Sequence, residues 1–158
     1  MALSRLKLAA DRSIVYLDDG ALDKNASDFR VLWEEYQKSY DPSLLPILEG
    51  ETFTIFRVGS LTVAQAARVE SLGYTTGEAI TEALAYGIHA VEHLRLYDPA
   101  TAACEAVHLG EAERKETPLG RRLTDEAMGW FADTELRVYL YAEIRKATKL
   151  QRPFRASH

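Results

Sequence analysis

Residues 52–58 alternate between two faces with a period of two, which is typical of a β-strand. One face carries Phe53, Ile55 and Arg57, and the other carries Thr54, Phe56 and Val58. Residues 13–17 are β-branched and aromatic, and turn residues follow them at 18–20. They predict a second short strand. The chain is therefore expected to contain a small sheet.

Helical periodicity covers most of the remaining chain. A first helix is predicted from Ser27 or Asp28 to before Pro42, a second from Ser60 or Thr62 to Gly73, and a third from Thr76 to about His93 or Leu94. A short helix is predicted from Thr124 through Trp130. The last helix starts at Asp133 or Thr134 and carries the stripe Leu136, Leu140, Ile144 and Ala147.

The segment between the third helix and Thr124 is predicted from its prolines and glycines. Pro99 prevents an unbroken helix, so residues 94–97 and 103–109 predict a hairpin around a turn at 98–101. Residues 111–122 are polar and contain Pro118 and Gly120, which predicts a mobile loop. The predicted fold class is α+β: a mainly α-helical single domain with a small antiparallel sheet or hairpin.

Length and composition agree with one domain spanning residues 1–158. Within it we distinguish an amino-terminal part at 1–51, a core at 52–150 and a basic tail at 151–158. The only cysteine, Cys104, excludes an intramolecular disulfide. No apolar run is long enough to span a bilayer, and no signal peptide is evident. We therefore expect a soluble protein of a reducing compartment, without membrane contact.

Residues 41–50 are apolar but contain two prolines, so they cannot form a regular helix. An extended segment carrying Leu44, Leu45, Ile47 and Leu48 is expected either to cover its own core or to enter a groove of a partner. The first alternative is favoured, because most apolar residues of a small domain are core residues.

The net charge of −5 is unevenly distributed along the chain. The last 14 residues contain five cations and no acid, and the preceding 144 residues carry 14 basic against 24 acidic residues. An acidic body argues against nucleic-acid binding. A basic tail predicts docking on an acidic protein surface, such as that of a neighbouring copy. For Arg145, Lys146 and Lys149 the alternative is that they are ordinary cations at the end of a helix. This alternative does not cover Arg152 and Arg155.

Four potential metal ligands lie within 20 residues: His89, His93, Cys104 and His108. On a helix, His89 and His93 would present both rings on one face, as zinc sites often require. On a strand, Cys104 and His108 would lie about 13 Å apart, too far for one ion. Ordinary edge histidines are the favoured interpretation, and no metal or other cofactor is predicted.

Other catalytic patterns are absent from the sequence. It contains no Gly-x-Ser-x-Gly elbow and no glycine-rich phosphate loop, and turns or helix starts account for its acid pairs. We predict that the protein is not an enzyme and has no catalytic residues. Eight tyrosines exceed what one small core readily covers, which favours a component of an assembly. Two groups hold most aromatics: Phe29, Trp33, Tyr36 and Tyr40, then Trp130, Phe131, Tyr139 and Tyr141.

From residue 52 onward the chain contains a series of short sequence blocks. The blocks are Phe53-Thr-Ile-Phe-Arg57-Val-Gly-Ser-Leu61-Thr62, then Tyr86-Gly-Ile-His-Ala-Val-Glu92-His-Leu94, the hairpin Tyr97-Asp98-Pro-Ala-Thr, and Leu123-Thr-Asp-Glu126 with Glu135-Leu136, Ile144 and Leu150. In this order they resemble small morphogenesis proteins of tailed bacteriophages, of the tail-assembly-chaperone-like type. Two features depart from the family. Its Val-Gly-Trp-Glu-Asn element is His-Ala-Val-Glu-His here, and the amino-terminal part is more elaborate.

The resemblance implies a virion morphogenesis protein that binds other proteins, either as a structural subunit associated with the tail or connector or as a tail assembly chaperone. Expected partners are tail, connector or baseplate subunits and further copies of the chain, located in the virion or the host cytoplasm. The expected contact surfaces are residues 44–48, exposed aromatic side chains and the basic tail. A small metal-binding protein using the His/Cys cluster is the alternative. The sequence does not distinguish a host-takeover protein that binds one bacterial partner from a virion morphogenesis protein.

Overall fold

The computed structural model describes residues 11–151, with no account of the side chains of 149–151. Residue contacts divide the described chain into two compact units. The helical unit comprises Asp11, Val58–His89 and the described residues from Gly110 onward. The sheet unit comprises Arg12–Arg57 and Ala90–Leu109. One domain with boundaries at 51/52 and 150/151 remains a prediction.

The described residues form seven strands and five α-helices in one chain order. That order is β1 (Arg12–Val15), α1 (Phe29–Ser39), β2 (Ile55–Val58), α2 (Val63–Ser71), α3 (Gly77–Gly87), β3 (Ile88–Glu92), β4 (Arg95–Asp98), β5 (Ala103–Ala106), β6 (Arg114–Thr117), β7 (Gly120–Leu123), α4 (Asp125–Met128) and α5 (Thr134–Gln151). Single 3₁₀ turns lie at Pro42–Leu44, Glu111–Glu113 and Gly129–Phe131. The predicted α+β class, mainly helical with small antiparallel sheets, is confirmed.

The helical unit is built around α3, which packs against α2 and α5. Ala83 and Leu84 of α3 and Leu140 and Ile144 of α5 are fully buried. The predicted caps explain where the helices begin. The Thr62 hydroxyl accepts from the Gln65 amide in a complete capping box. The Thr76 and Thr124 hydroxyls cap α3 and α4 by accepting from the Ala79 and Ala127 amides.

The sheet unit encloses a cluster of four buried side chains: Val15, Leu22, Tyr36 and Leu45. The strands β1, β2 and β3 form a sheet in that order. The Tyr36 hydroxyl accepts from the Val15 amide at 2.5 Å and donates to the Ser13 carbonyl at 3.2 Å, which fastens α1 to β1. The Asp19 carboxylate accepts from the Thr54 amide at 2.8 Å. Strands therefore occur at both predicted places, although β2 begins at Ile55 rather than at residue 52.

The prediction that the third helix continues to His93 or Leu94 is wrong. α3 ends at Gly87, and Ile88 begins β3 without a connecting turn. The Gly87 carbonyl accepts a hydrogen bond from the Gly59 amide at 3.0 Å, so its partner lies outside α3. The β-branched residues Ile88 and Val91 also favour an extended backbone. The sequence periodicity across this junction fits a helix and a strand equally well.

The prediction of a mobile loop at 111–122 is also wrong. Residues 114–117 and 120–123 pair as the antiparallel hairpin β6–β7, with Arg114 opposite Leu123 and Thr117 opposite Gly120. Gly120 has a φ of 117°, a conformation that favours glycine at this tight turn. Arg121 makes ion pairs with Glu111 and Glu116. These opposite charges stabilise the hairpin, although the polar composition of the segment predicted a mobile loop.

The predicted hairpin at 94–109 is confirmed as β4–β5, with Tyr97 opposite Cys104 and a turn at residues 99–102. The short helix after Thr124 and the last helix are also confirmed. The Asp133 carboxylate accepts from the Leu136 amide at 2.9 Å at the start of α5. In the part of the chain described, no helix is long and apolar enough to cross a membrane.

Candidate functional site

The four side chains considered as metal ligands lie on extended or irregular backbone. His89 belongs to β3 and His93 follows it in a left-handed conformation with a φ of 59°. Because α3 ends at Gly87, these two residues do not share a helical face. Cys104 lies exposed in β5 and His108 lies beyond it. Between residues 11 and 151, no three His, Cys, Asp or Glu side chains are grouped to hold a metal ion.

His89 has a different partner, which the sequence does not indicate. Its Nδ1 lies 2.7 Å from the Asp11 carboxylate, across a separation of 78 residues. The Arg114 guanidinium donates to the His89 backbone carbonyl. Gly59 makes room for the pair, since a Cβ at that position would lie 2.7 Å from the Asp11 oxygen. A carboxylate on Nδ1 fixes the orientation of the ring and leaves Nε2 available.

An oriented imidazole acts as a general base only when a nucleophile or substrate group lies within reach of it. In the described structure, no Ser, Thr or Cys side chain is hydrogen-bonded to His89. The pair therefore connects Asp11 to the first residues of β3.

A groove of about 410 Å³ in the helical unit is lined by charged side chains. Arg122 lies at its wall, with its side chain only 11% exposed, and makes ion pairs of 3.0 Å with both Glu82 and Asp125. Arg137 donates to the Thr81 hydroxyl. The sequence interpretation missed this network because it placed Arg122 in a loop. The lining comprises three arginines and three acids: Arg68, Arg122 and Arg137 with Glu78, Glu82 and Asp125. The formal charges of this lining sum to zero.

The most exposed apolar stretch of the sheet unit lies where the prolines predict an extended segment. Leu44, Ile47 and Leu48 are 37%, 42% and 41% exposed, whereas Leu45 between them is buried in the apolar cluster. The expectation that this segment covers its own core is therefore correct for Leu45 alone. The three neighbouring side chains present an apolar strip to solvent.

Backbone hydrogen bonds hold this strip in place. The Leu48 amide donates to the Ala21 carbonyl at 2.9 Å, and the Asp23 amide donates to the Pro46 carbonyl at 3.1 Å. Leu22 and Ile47 form an isolated antiparallel bridge. The strip is thus presented on a defined backbone, which lowers the conformational entropy lost when a partner binds.

Two acids adjoin the strip and complete the surface. Glu49 and Glu51 are both exposed, and neither makes an ion pair within the described residues. We call Leu44, Ile47, Leu48, Glu49 and Glu51 the 44–51 surface. It combines exposed apolar side chains with two exposed carboxylates.

The hairpin β4–β5 is a second exposed element of the sheet unit. Of its eight paired residues, seven are exposed and only Leu96 is partly covered. Tyr97 is 63% exposed, more than any other aromatic side chain in the described range. The aromatic groups noted in the sequence are mostly packed instead: Phe29, Trp33, Tyr36 and Tyr40 form a continuous series of ring contacts.

The basic tail is only partly described. Arg145 lies over the rings of Tyr74 and Tyr141, at 4.7 and 5.6 Å from their centroids, and the Lys146 ammonium lies 3.1 Å from the Glu143 carboxylate. Burial raises the pKa of Tyr141, and the nearby Arg145 charge opposes that rise. These two cations are therefore used within the helical unit. The Lys149 side chain, Arg152 and Arg155 lie outside the described part.

Searches against protein-family models, curated proteins and solved structures found nothing that matches this chain.

Proposed function

We propose that this chain is a tailed-bacteriophage morphogenesis protein that binds other virion proteins, as a tail- or connector-associated subunit or as a tail assembly chaperone. In this proposal its chemistry is recognition of protein surfaces rather than catalysis, and its place is the virion or the host cytoplasm. The block pattern of the sequence supplies the phage assignment. The 44–51 surface is the observation that supports binding.

Three large aliphatic side chains exposed within five residues favour an interaction site. Burying such side chains contributes roughly 25 cal/mol for each Å² removed from water. Large exposed apolar patches on small proteins mark surfaces that other molecules cover. Here the area lies on a backbone already fixed by hydrogen bonds to residues 21–23.

The β4–β5 hairpin supports the same class of function independently. A two-stranded ribbon has unpaired backbone donors and acceptors along both outer edges, and these can pair with a strand of another protein. The hairpin is exposed over nearly all its paired residues, so such pairing requires no rearrangement of its side chains.

The test is co-expression of the full chain with candidate tail, connector and baseplate proteins from the same phage. Complexes are then measured by size-exclusion chromatography with light scattering. We expect a stable complex with at least one of them. The double variant Leu44→Ser/Leu48→Ser should lose that complex, or weaken it at least tenfold.

Val63→Ser/Val138→Ser is the matched control, because both valines are exposed in the helical unit. It removes similar apolar area away from the 44–51 surface and should leave the complex intact. A chain that binds none of the co-expressed proteins contradicts the proposal. Equal loss in both double variants contradicts the assignment of the surface.

A further inference from the structure

The charge of the chain is concentrated in the sheet unit. Arg12–Arg57 and Ala90–Leu109 contain twelve acidic and six basic residues, a net charge of −6. The whole chain carries −5, so everything outside the sheet unit sums to +1. A partner for the 44–51 surface should therefore be basic, and it should also carry apolar area for the exposed leucines and isoleucine.

The chain itself contains a segment of that composition. Residues 152–158 read Arg-Pro-Phe-Arg-Ala-Ser-His, with Phe154 between Arg152 and Arg155 and no acid. The two basic residues nearest the tail that the structure does describe, Arg145 and Lys146, already contact tyrosines and Glu143. Arg152 and Arg155 are the two cations of the segment 152–158.

We propose that the carboxyl-terminal segment 152–158 of one copy binds the 44–51 surface of a second copy. This inference rests on the proposed function, because it names the partner of the same surface. Phe154 supplies the apolar group for Leu44, Ile47 and Leu48, and Arg152 and Arg155 supply cations for Glu49 and Glu51.

The contact is heterologous, since the surface on one copy differs from the segment on the other. Two copies can exchange segments to form a closed dimer, or one-way contacts can continue into a longer assembly. Either arrangement makes association dependent on protein concentration. Because the ion pairs form at a solvent-exposed site, added salt should weaken the association.

A charge exchange tests the inference on the full chain. The tail variant is Arg152→Glu/Arg155→Glu, and the surface variant is Glu49→Arg/Glu51→Arg. Sedimentation velocity over a series of concentrations measures the dissociation constant. Each variant alone should raise it at least tenfold, because like charges then face each other. An equimolar mixture should associate again. The reversed segment of the tail variant then meets the reversed surface of the surface variant, and the unmodified segment of the surface variant meets the unmodified surface of the tail variant.

Glu34→Arg/Glu35→Arg is the matched control. It makes the same change in net charge at exposed acids of the sheet unit outside the 44–51 surface. Its dissociation constant should stay within about threefold of the unmodified chain, and Phe154→Ser should weaken association while leaving the circular dichroism spectrum unchanged.

Three results overturn the inference. They are a full chain that remains monomeric at every concentration, a mixture that fails to restore association, and a control that weakens association as much as the surface variant. Binding of a tail or connector protein at the 44–51 surface by a strictly monomeric chain would refute this inference alone and leave the proposed function standing.

Discussion

Gly87→Ala tests the packing of α3 against α5. A Cβ at residue 87 would lie 2.6 Å from Ile144 Cδ1, 2.8 Å from Cγ1 and 2.9 Å from Cγ2, all closer than carbon atoms normally approach. Ile144 is fully buried, so it cannot turn outward into solvent. Inserting a methyl group into such a core typically costs about 1–3 kcal/mol.

Helix propensity acts in the opposite direction. Replacing glycine by alanine inside a helix stabilises it by roughly 0.5–1 kcal/mol. Gly87 is the last residue of α3, so the smaller figure applies. We therefore expect Gly87→Ala to lower the free energy of unfolding by about 1–2 kcal/mol. Gly77→Ala in the first turn of the same helix is the control, because nothing lies within 4 Å of a Cβ there.

Urea denaturation followed by tryptophan fluorescence measures the change. Trp33 lies in the sheet unit and Trp130 in the helical unit, so a Trp33→Phe background restricts the signal to the unit that contains Gly87. The urea midpoint should fall while the slope stays unchanged. Gly77→Ala should leave the midpoint equal or slightly higher.

A double-mutant cycle identifies the cause of the loss. Ile144→Ala alone should cost about 2–5 kcal/mol, because it leaves a cavity. In Gly87→Ala/Ile144→Ala the new methyl group occupies part of that cavity, so the double variant should lose less than the sum of the two single losses. A Gly87→Ala protein as stable as the unmodified chain, or strictly additive losses, would refute the packing argument.

Tyr36→Phe removes the buried hydroxyl that bonds both Val15 and Ser13, so thermal or urea unfolding should show a loss of about 1–3 kcal/mol. Tyr40→Phe, whose hydroxyl accepts from Arg12 at a partly exposed site, should lose less, and an equal loss contradicts the role given to burial. Thr62→Ala removes the cap of α2 and should cost about 0.5–2 kcal/mol in the same assay, with Thr62→Ser retaining most of the stability. The raised pKa of Tyr141 means that the unfolded chain loses this proton first as the pH rises past its ordinary value of 10.0. Stability should therefore fall above that pH, and Tyr141→Phe should make the decline shallower; unchanged steepness contradicts it.

Local signals in the sequence predict where most elements begin. Thr62, Thr76 and Thr124 are side-chain caps whose effect depends only on residues within one helical turn. Gly73 and Pro42 end or exclude helices for equally local reasons. These boundaries were predictable because no distant contact decides them.

The junction at Gly87 and the β6–β7 hairpin depend on distant contacts. The tight space for Gly87 is created by Ile144, 57 residues further along the chain. The strand character of 114–117 depends on pairing with 120–123 and on the ion pairs of Arg121. The β-branched Ile88 and Val91 favour a strand at the first place, but the local pattern of neither segment excludes a continued helix or a loop.

The candidate surface was predictable in part. Two prolines and four apolar residues indicate an extended segment with two possible uses, and the structure divides them between the buried Leu45 and its exposed neighbours. Which side chain enters the core depends on Val15, Leu22 and Tyr36, which no local pattern reveals. The pairing of His89 with Asp11 was unpredictable for the same reason.

The interrupted path of the sheet unit has a consequence for synthesis. Its buried cluster of Val15, Leu22, Tyr36 and Leu45 is complete once residue 45 has left the ribosome. Its remaining segment, Ala90–Leu109, emerges only after Val58–His89 of the helical unit. Until then the growing chain carries β1 and β2 without the last strand of their sheet, so nascent protein in this interval exposes an edge that the finished molecule covers.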